Sequence, residues 1–117
     1  MIEQIKNIYR SFSDSLISKI EYNRSIENVT CVVNISSYNW ETSERDEISL
    51  IFEDCVFFKF FESSKINSTV ITNALLNQNE DIIVFDFFPL YYSDDKILEN
   101  PNSDFVIKSK GLKIIKN

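Results

Sequence analysis

The sequence predicts an α+β fold, in which an antiparallel sheet of about five strands packs against an N-terminal amphipathic helix and a second short helix. Apolar residues near the N-terminus recur at helical spacing, whereas several later segments alternate with a period of two. Two aromatic runs, at residues 48–61 and 82–92, hold eight of the ten phenylalanines and indicate a dense β core. The length of 117 residues and the single glycine favour one domain over residues 1–117.

The two helices are predicted from apolar residues spaced three and four apart. In residues 2–20 they form one stripe, made of Ile2, Ile5, Ile8, Tyr9, Phe12, Leu16, Ile17 and Ile20. Serines on the opposite face lower the intrinsic helix propensity, so we expect this helix to depend on docking against the sheet. Residues 66–77 show similar spacing but include β-branched residues. Helix and strand are both open there, and a short helix is favoured.

Three strands are predicted in the first half of the chain. Residues 29–35 alternate apolar and polar side chains, and the apolar residues of 48–52 share one face. Glu53-Asp54 is predicted to turn the chain into a third strand, which would complete a hairpin. Phe57 and Phe61 point to the second face of that strand, so we expect it to be covered on both sides.

Two further strands are predicted in the second half. The strand in the run over residues 82–92 should end at Pro89 or lie at a sheet edge, because proline cannot donate to a strand ladder. Residues 104–115 form the last strand, with a bulge or tight turn at Gly111. This strand carries several lysines, at Lys108, Lys110, Lys113 and Lys116. Lysine commonly protects sheet edges from association, while an exposed aromatic strand leaves a homodimer open.

Composition excludes most of the common catalytic and metal sites. The chain has no histidine, which removes Ser-His-Asp and Cys-His arrangements, and two cysteines alone cannot close a tetrahedral zinc site. A single glycine cannot build a glycine-rich phosphate loop. We therefore predict no catalytic residue, no metal and no cofactor, in a protein that is not an enzyme.

The net charge of −6 and the pI near 4.6 indicate the class of partner. This charge disfavours nucleic acid and anionic membranes, and it favours a basic protein, with solubility as the alternative role of the acidity. No apolar stretch is long enough to span a bilayer, and the N-terminus has no signal-peptide pattern. Cys31 and Cys55 lie in apolar, strand-like surroundings, so we predict reduced core cysteines in a cytoplasmic protein.

A cluster of aromatic and acidic residues is the candidate partner-binding surface. Its members are Tyr38, Trp40, Glu41, Glu44, Asp46 and Glu47. Tryptophan and tyrosine supply much of the energy of protein interfaces, and the carboxylates suit a basic partner. The alternative is a solvated loop with Trp40 folded into the core.

Asp86 is a candidate buried polar residue, because phenylalanines flank it on a predicted strand. Three interpretations stay open: a desolvated general acid or base, a side chain turned to water, or a residue that caps a loop or pairs with Lys59. Tyr91 and Tyr92 follow on the same run and could line a pocket with it.

The second half of the chain carries a resemblance. Asp81-Ile-Ile-Val-Phe-Asp-Phe-Phe-Pro-Leu-Tyr-Tyr92 through Glu99-Asn-Pro-Asn-Ser-Asp-Phe105 resembles small bacterial proteins of the YxiG-like kind. Many such proteins lie in toxin–immunity regions of low-GC Gram-positive genomes. The resemblance covers the C-terminal half and includes no catalytic motif. It implies an immunity-like role, in which the protein neutralises a cognate toxin by surface complementarity.

Two functional hypotheses follow. The first is a non-catalytic cytosolic binding protein, immunity-like, that recognises its partner through the acidic and aromatic residues around Trp40. The alternative is a small-ligand-binding or regulatory module with an aromatic pocket between the sheet and the N-terminal helix. A well-formed apolar cavity with converging polar groups would favour the alternative.

Overall fold

The chain folds mainly as sheet, in a computed structural model that describes residues 2–61, 70–91 and 97–117. Of these residues, 64% lie in strands and 8% in helix. The elements are α1 (Ile2–Tyr9), β1 (Ser15–Arg24), β2 (Val29–Asn39), β3 (Glu44–Phe60), β4 (Val70–Ile71), β5 (Leu75–Asn79), β6 (Ile82–Asp86), β7 (Leu90–Tyr91), β8 (Ile97–Leu98) and β9 (Phe105–Lys116). The predicted α+β fold, with about five strands and two helices, is therefore wrong.

Seven strands form one antiparallel sheet in the order β4-β1-β2-β3-β9-β6-β5, and β7 pairs with β8 in a separate ribbon. β4 and β5 lie at opposite edges of the large sheet, yet residues 72–74 alone join them. Because each residue spans at most about 3.6 Å, the two edges must come close together. The sheet is accordingly curled into a half-barrel.

The core lies on the concave side of the half-barrel. The inward residues of β2 and β3 alternate with outward ones, and the central members of both strands are fully buried. The largest buried side chains are five phenylalanines: Phe12, Phe52, Phe85, Phe87 and Phe105. The rings of Phe87 and Phe105 stack with centroids 3.7 Å apart, and Phe85 contacts three other rings. The aromatic runs thus contribute to a dense core, as expected.

The predicted helix over residues 2–20 is wrong beyond Tyr9. Three residues that follow α1 have positive φ, namely Arg10 (54°), Phe12 (55°) and Asp14 (59°). A right-handed helix does not allow this conformation, so the chain turns and enters β1. The apolar spacing reflects a turn that buries Phe12 followed by a strand that buries Ile17, while Leu16 is exposed.

The predicted short helix over residues 66–77 is wrong where the structure describes it, and residues 66–69 lie outside the described part. Residues 70–71 form β4 and residues 75–79 form β5. The β-branched side chains that weakened the helix prediction suit strands. In contrast, the strands predicted over 29–35, 48–52 and 104–115 are confirmed in β2, β3 and β9, and β6 ends before Pro89 as expected.

The predicted hairpin at Glu53-Asp54 is also wrong, because β3 continues from Glu44 to Phe60. Its register against β9 shifts between Cys55 and Phe57, and Asp54 has a φ of 51°. This bulge turns Phe57 outward, so its predicted burial is wrong, as is that of Phe61, which is exposed too. Gly111 lies inside β9 opposite Glu53 without positive φ, so the bulge predicted there belongs to β3 instead.

α1 packs on the concave side and contacts β2 and β5. Its buried residues are Ile2, Ile5 and Tyr9, which fits its spacing of three and four. At its C-terminal end the Ile8 carbonyl accepts a hydrogen bond of 2.8 Å from the Trp40 N–H. Over the described residues, no helix has the length and apolarity needed to span a membrane.

Candidate functional site

Trp40 lies where β2 turns into β3, and its side chain is 44% exposed. Its ring meets Tyr38 edge to face, with centroids 4.9 Å apart, and the guanidinium carbon of Arg10 lies 4.0 Å from its centroid. The backbone hydrogen bond to Ile8 ties the turn to α1. Trp40 is therefore held in place at the surface, rather than folded into the core.

Three exposed carboxylates follow this tryptophan within seven residues of the chain. Glu41, Glu44 and Glu47 are all exposed, on the turn or on the first residues of β3. Arg45 lies among them, but its guanidinium donates to the Ser36 and Asp14 carbonyls at 2.8 and 3.1 Å. Five of the six predicted residues are thus at least partly exposed, on the turn between β2 and β3 and on the strand ends beside it. We call Tyr38, Trp40, Glu41, Glu44 and Glu47 the Trp40 surface.

Asp46 is the sixth predicted residue, and it does not belong to that surface. It is 6% exposed, because it shares the inward parity of Ile48. Its Oδ2 accepts hydrogen bonds from the Tyr9 hydroxyl at 2.9 Å and from Asn39 Nδ2 at 2.8 Å. Lys116 Nζ lies 3.4 Å from Oδ1. Asp46 supports the Trp40 surface from below and cannot contact a partner directly.

The environment of Asp46 keeps it ionised. Burial alone raises the pKa of Asp46, but the hydrogen bonds from Asn39 and Tyr9 and the charge of Lys116 outweigh burial, so its pKa lies below the ordinary value. Burial, and next the hydrogen bond to Asp46, raises the pKa of Tyr9. At neutral pH the network therefore joins a carboxylate to a protonated phenol.

Asn39 connects this network to the turn. While its Nδ2 donates to Asp46, its Oδ1 accepts from the N–H groups of Glu41 and Thr42 at 2.9 and 3.1 Å. Sequence reasoning missed Asn39, as it missed Tyr9 and Arg10. The signal for Asn39 was present, because the alternation that buries the inward residues of β2 continues to its last residue.

Asp86 has a structural role inside the protein. It is fully buried, and its Oδ1 and Oδ2 accept hydrogen bonds from the N–H groups of Phe88 at 3.0 Å and Asn100 at 2.8 Å. Asn100 Nδ2 in turn donates to the Phe88 carbonyl at 3.0 Å. Of the three interpretations, the structure therefore supports the loop cap. The Tyr91 side chain and Tyr92 lie outside the described residues.

A groove of about 500 Å³ lies between α1 and the C-terminal part of β9. It occupies the place of the pocket expected under the small-ligand hypothesis, but its lining is largely aliphatic, with Tyr9 as the aromatic member. Phe12, Phe52, Phe85, Phe87 and Phe105 lie in the core, and no phenylalanine is among the described residues that line the groove.

Two free cysteines meet near the bulge of β3. Cys31 is buried in β2, Cys55 is half-buried, and their Sγ atoms lie 3.2 Å apart. Burial raises the pKa of the Cys31 thiol, and the contact with Cys55 raises it further. Burial also raises the pKa of Cys55, although its contacts with Cys31 oppose this. Both thiols are therefore protonated at neutral pH.

Among residues 2–61, 70–91 and 97–117, no group of three or more cysteine, aspartate or glutamate residues is arranged to hold a metal ion. The Trp40 surface, with its buried support, is the candidate site that the geometry singles out. Comparisons of the chain with protein-family models, with curated proteins and with solved structures found no match.

Proposed function

We propose that this protein is a non-catalytic, cytoplasmic binding protein that recognises a basic protein partner through the Trp40 surface. One observation carries the proposal: an exposed tryptophan is fixed by Tyr38 and Arg10 in a segment that also exposes Glu41, Glu44 and Glu47. Tryptophan, tyrosine and arginine are the residue types that dominate interface energies. The negative charge around them would attract and orient a basic partner.

The support beneath the surface favours binding because it lowers the conformational cost. Asn39 and Asp46 fix the backbone of the turn, and Trp40 N–H is bonded to α1. Association costs roughly 0.5–1.5 kcal/mol for each flexible side chain that is immobilised. A surface that is already ordered avoids part of this loss, which suits a protein that must hold its partner tightly.

An immunity-like role is the form of this proposal that we favour. The resemblance of residues 81–105 to YxiG-like proteins supports it, and so does a net charge of −6. In this role the protein would neutralise a basic toxin by covering its surface. Neither catalysis nor a cofactor is required.

Calorimetric titration with the protein encoded by the neighbouring gene tests the proposal. Glu44→Lys and Glu47→Lys reverse charges on the Trp40 surface, whereas Glu27→Lys reverses an exposed charge in the turn between β1 and β2 and serves as the matched control. We expect each surface variant to weaken binding by about tenfold, which corresponds to about 1.4 kcal/mol. Binding should also weaken at high salt.

Glu27→Lys should leave the affinity within about twofold, since distant rim charges contribute little. Circular dichroism of each variant checks that the fold is intact. Absence of binding to any neighbouring gene product would contradict the immunity-like role. Equal loss in Glu27→Lys and Glu44→Lys would contradict the assignment of the surface.

A further inference from the structure

We propose that the edge of β9 over residues 112–116 is a strand-addition site for an extended, acidic segment of a protein partner. The site lies on the far side of β9 from β3, next to α1. It does not rest on the Trp40 surface, and either site can exist without the other. The inference follows from strand pairing, from the direction of backbone groups and from the charge of the lining.

The C-terminal half of β9 is paired on one side. β3 pairs with β9 along its length, as far as Ile48 opposite Lys116. β6 covers the other side over residues 106–109, ending with Ile83 opposite Ser109. In the described part of the chain, no strand continues the β6 side beyond Ser109. The sheet therefore has an internal step, where β9 becomes an edge strand.

The backbone groups that face this edge can be identified. Asn117 N–H donates to the Glu47 carbonyl at 2.8 Å, so at this end of β9 the odd-numbered residues bond to β3. Backbone donors and acceptors alternate sides along a strand. The N–H and C=O groups of Leu112, Ile114 and Lys116 therefore point toward the open edge, which is the pattern an incoming antiparallel strand requires.

The groove beside this edge runs along β9, where an added strand would lie. Five consecutive residues of β9, 112–116, line it, so the groove follows the edge of the strand and not one of its faces. Ile5 and Ile8 of α1 form the opposite wall. An added strand would place alternate apolar side chains against these isoleucines and against Leu112 and Ile114.

The charge of the lining selects an acidic segment. Among the residues that the structure describes, the groove is lined by Lys113 and Lys116 and by no carboxylate, in a protein whose net charge is −6. Their ion pairs with Glu53 (3.3 Å) and Asp46 (3.4 Å) leave the two lysine side chains 64% and 59% exposed. Each ammonium group can therefore donate a hydrogen bond to a second carboxylate, supplied by the incoming strand.

A second copy of this chain would bring the same lysines to the edge, and in one register they would lie directly opposite each other. Antiparallel pairing of two β9 edges about Lys113 would set Lys113 opposite Lys113 and Lys110 opposite Lys116. Like charges directly opposite each other destabilise a strand pair. The lysines thus discourage self-association and at the same time admit an acidic partner, which is why we assign the occupant to another protein.

Hydrogen exchange of the free protein, measured residue by residue by NMR, tests the open edge. We expect the amides of Leu112 and Ile114 to exchange at least about tenfold faster than those of Lys113 and Ile115, which bond to β3. Equal protection of all four amides would overturn the open edge.

A synthetic peptide tests the occupant. The probe is a capped seven-residue peptide that alternates glutamate and valine, labelled for fluorescence anisotropy. We expect it to bind and to slow exchange at Leu112 and Ile114. Two control peptides should fail to bind: one with lysine in place of glutamate, and one N-methylated at the residues that face β9, which removes the backbone donors.

Matched variants of the protein complete the test. Lys113→Glu should weaken peptide binding by about tenfold, since it replaces attraction by repulsion. Lys19→Glu, which breaks the comparable exposed pair with Glu21 on β1, and Trp40→Ala should leave it unchanged. Equal binding of the N-methylated peptide would mean that the groove takes side chains only, and it would overturn strand addition. Concentration-dependent dimers in sedimentation that block the peptide would overturn the assignment to another protein.

Discussion

Trp40 and Phe57 are exposed to nearly equal degrees, 44% and 45%, but their surroundings differ. Trp40 is held by Tyr38, by Arg10 and by a backbone hydrogen bond to α1. Phe57 follows the bulge of β3, and Lys108 Nζ lies 5.4 Å from its ring centroid. In the chain, exposed Glu41 follows Trp40, whereas exposed Val56 precedes Phe57.

The comparison shows that exposure alone does not mark a binding residue. What distinguishes Trp40 is a buried polar network that orders the backbone beneath it, through Asp46 and Asn39. Beneath the bulge of Phe57 the polar contact is between two protonated thiols, Cys31 and Cys55. A thiol is a weak hydrogen-bond donor, so this contact orders its surroundings less than a carboxylate network does.

The largest effect is expected from breaking the support of Trp40. Asp46→Ala leaves the Tyr9 hydroxyl and Asn39 Nδ2 buried without their acceptor, so we expect the free energy of unfolding to fall by about 3 kcal/mol. Urea denaturation monitored by circular dichroism measures the change. Glu44→Ala, two residues away and exposed, is the control and should cost less than about 0.5 kcal/mol. A loss below about 1 kcal/mol in Asp46→Ala would contradict the network.

Low pH should destabilise the protein through Asp46, in the network that supports Trp40. Because the folded pKa of Asp46 lies below its unfolded value of about 3.9, its contribution is present above that pH and is lost as the pH falls through the folded pKa. We expect the free energy of unfolding to fall below about pH 4, and the slope to be smaller in Asp46→Asn. Denaturant midpoints measured from pH 2 to 6 test this. An unchanged slope in Asp46→Asn would count against it.

High pH should destabilise the protein through Cys31 and Cys55, the two thiols near Phe57. The thiol pKa values of Cys31 and Cys55 are raised, so their contribution is present below the unfolded value of about 8.5 and is lost as the pH rises through the folded values. We expect a fall of at most about 1.4 kcal/mol per pH unit for each thiol between about pH 8.5 and 10. Tyr9 adds a loss above about pH 10. A Cys31→Ala variant with the wild-type slope between pH 8.5 and 10 would contradict this origin.

The smallest effects on the free energy of unfolding are expected from removing either of the two exposed rings. Trp40→Ala loses the contacts with Tyr38 and Arg10, and we expect a cost of about 1 kcal/mol. Phe57→Ala removes the longer contact of the ring with Lys108, and we expect it to lower the free energy of unfolding by about 0.5 kcal/mol or less. Thermal and urea unfolding of the two variants side by side checks the order. A larger cost for Phe57→Ala would reverse the comparison.

Period-two alternation predicted β2, β9 and the first part of β3 correctly, because one face of each is buried, but it did not reveal β1. The same alternation indicates an inward Asp46 side chain, because Asp46 shares the parity of Ile48 and Leu50. The composition of the surface around Trp40 was likewise visible in the sequence. What remained hidden was that β3 begins at Glu44, so that the inward face of this strand already includes Asp46.

Backbone features that depend on tertiary structure could not be predicted. The apolar spacing of residues 12–20 fits a helix as well as a turn followed by a strand. Because phenylalanine rarely adopts positive φ, nothing in the sequence indicated the positive φ of Phe12. The bulge at Cys55–Phe57 reverses which phenylalanines face the core, and only the pairing with β9 fixes it. The partner hydrogen bonds of Asp86 come from residues 88 and 100, whose approach is set by the loop.

We expect Trp40, and not the equally exposed Phe57, to be the centre of a partner-binding surface. Titration calorimetry of the neighbouring gene product with the wild type, Trp40→Ala and Phe57→Ala tests it most directly. We predict that Trp40→Ala weakens binding by about 30-fold or more, equivalent to at least about 2 kcal/mol, while Phe57→Ala stays within about twofold of the wild type. Loss of binding in Phe57→Ala with wild-type affinity in Trp40→Ala would contradict the account.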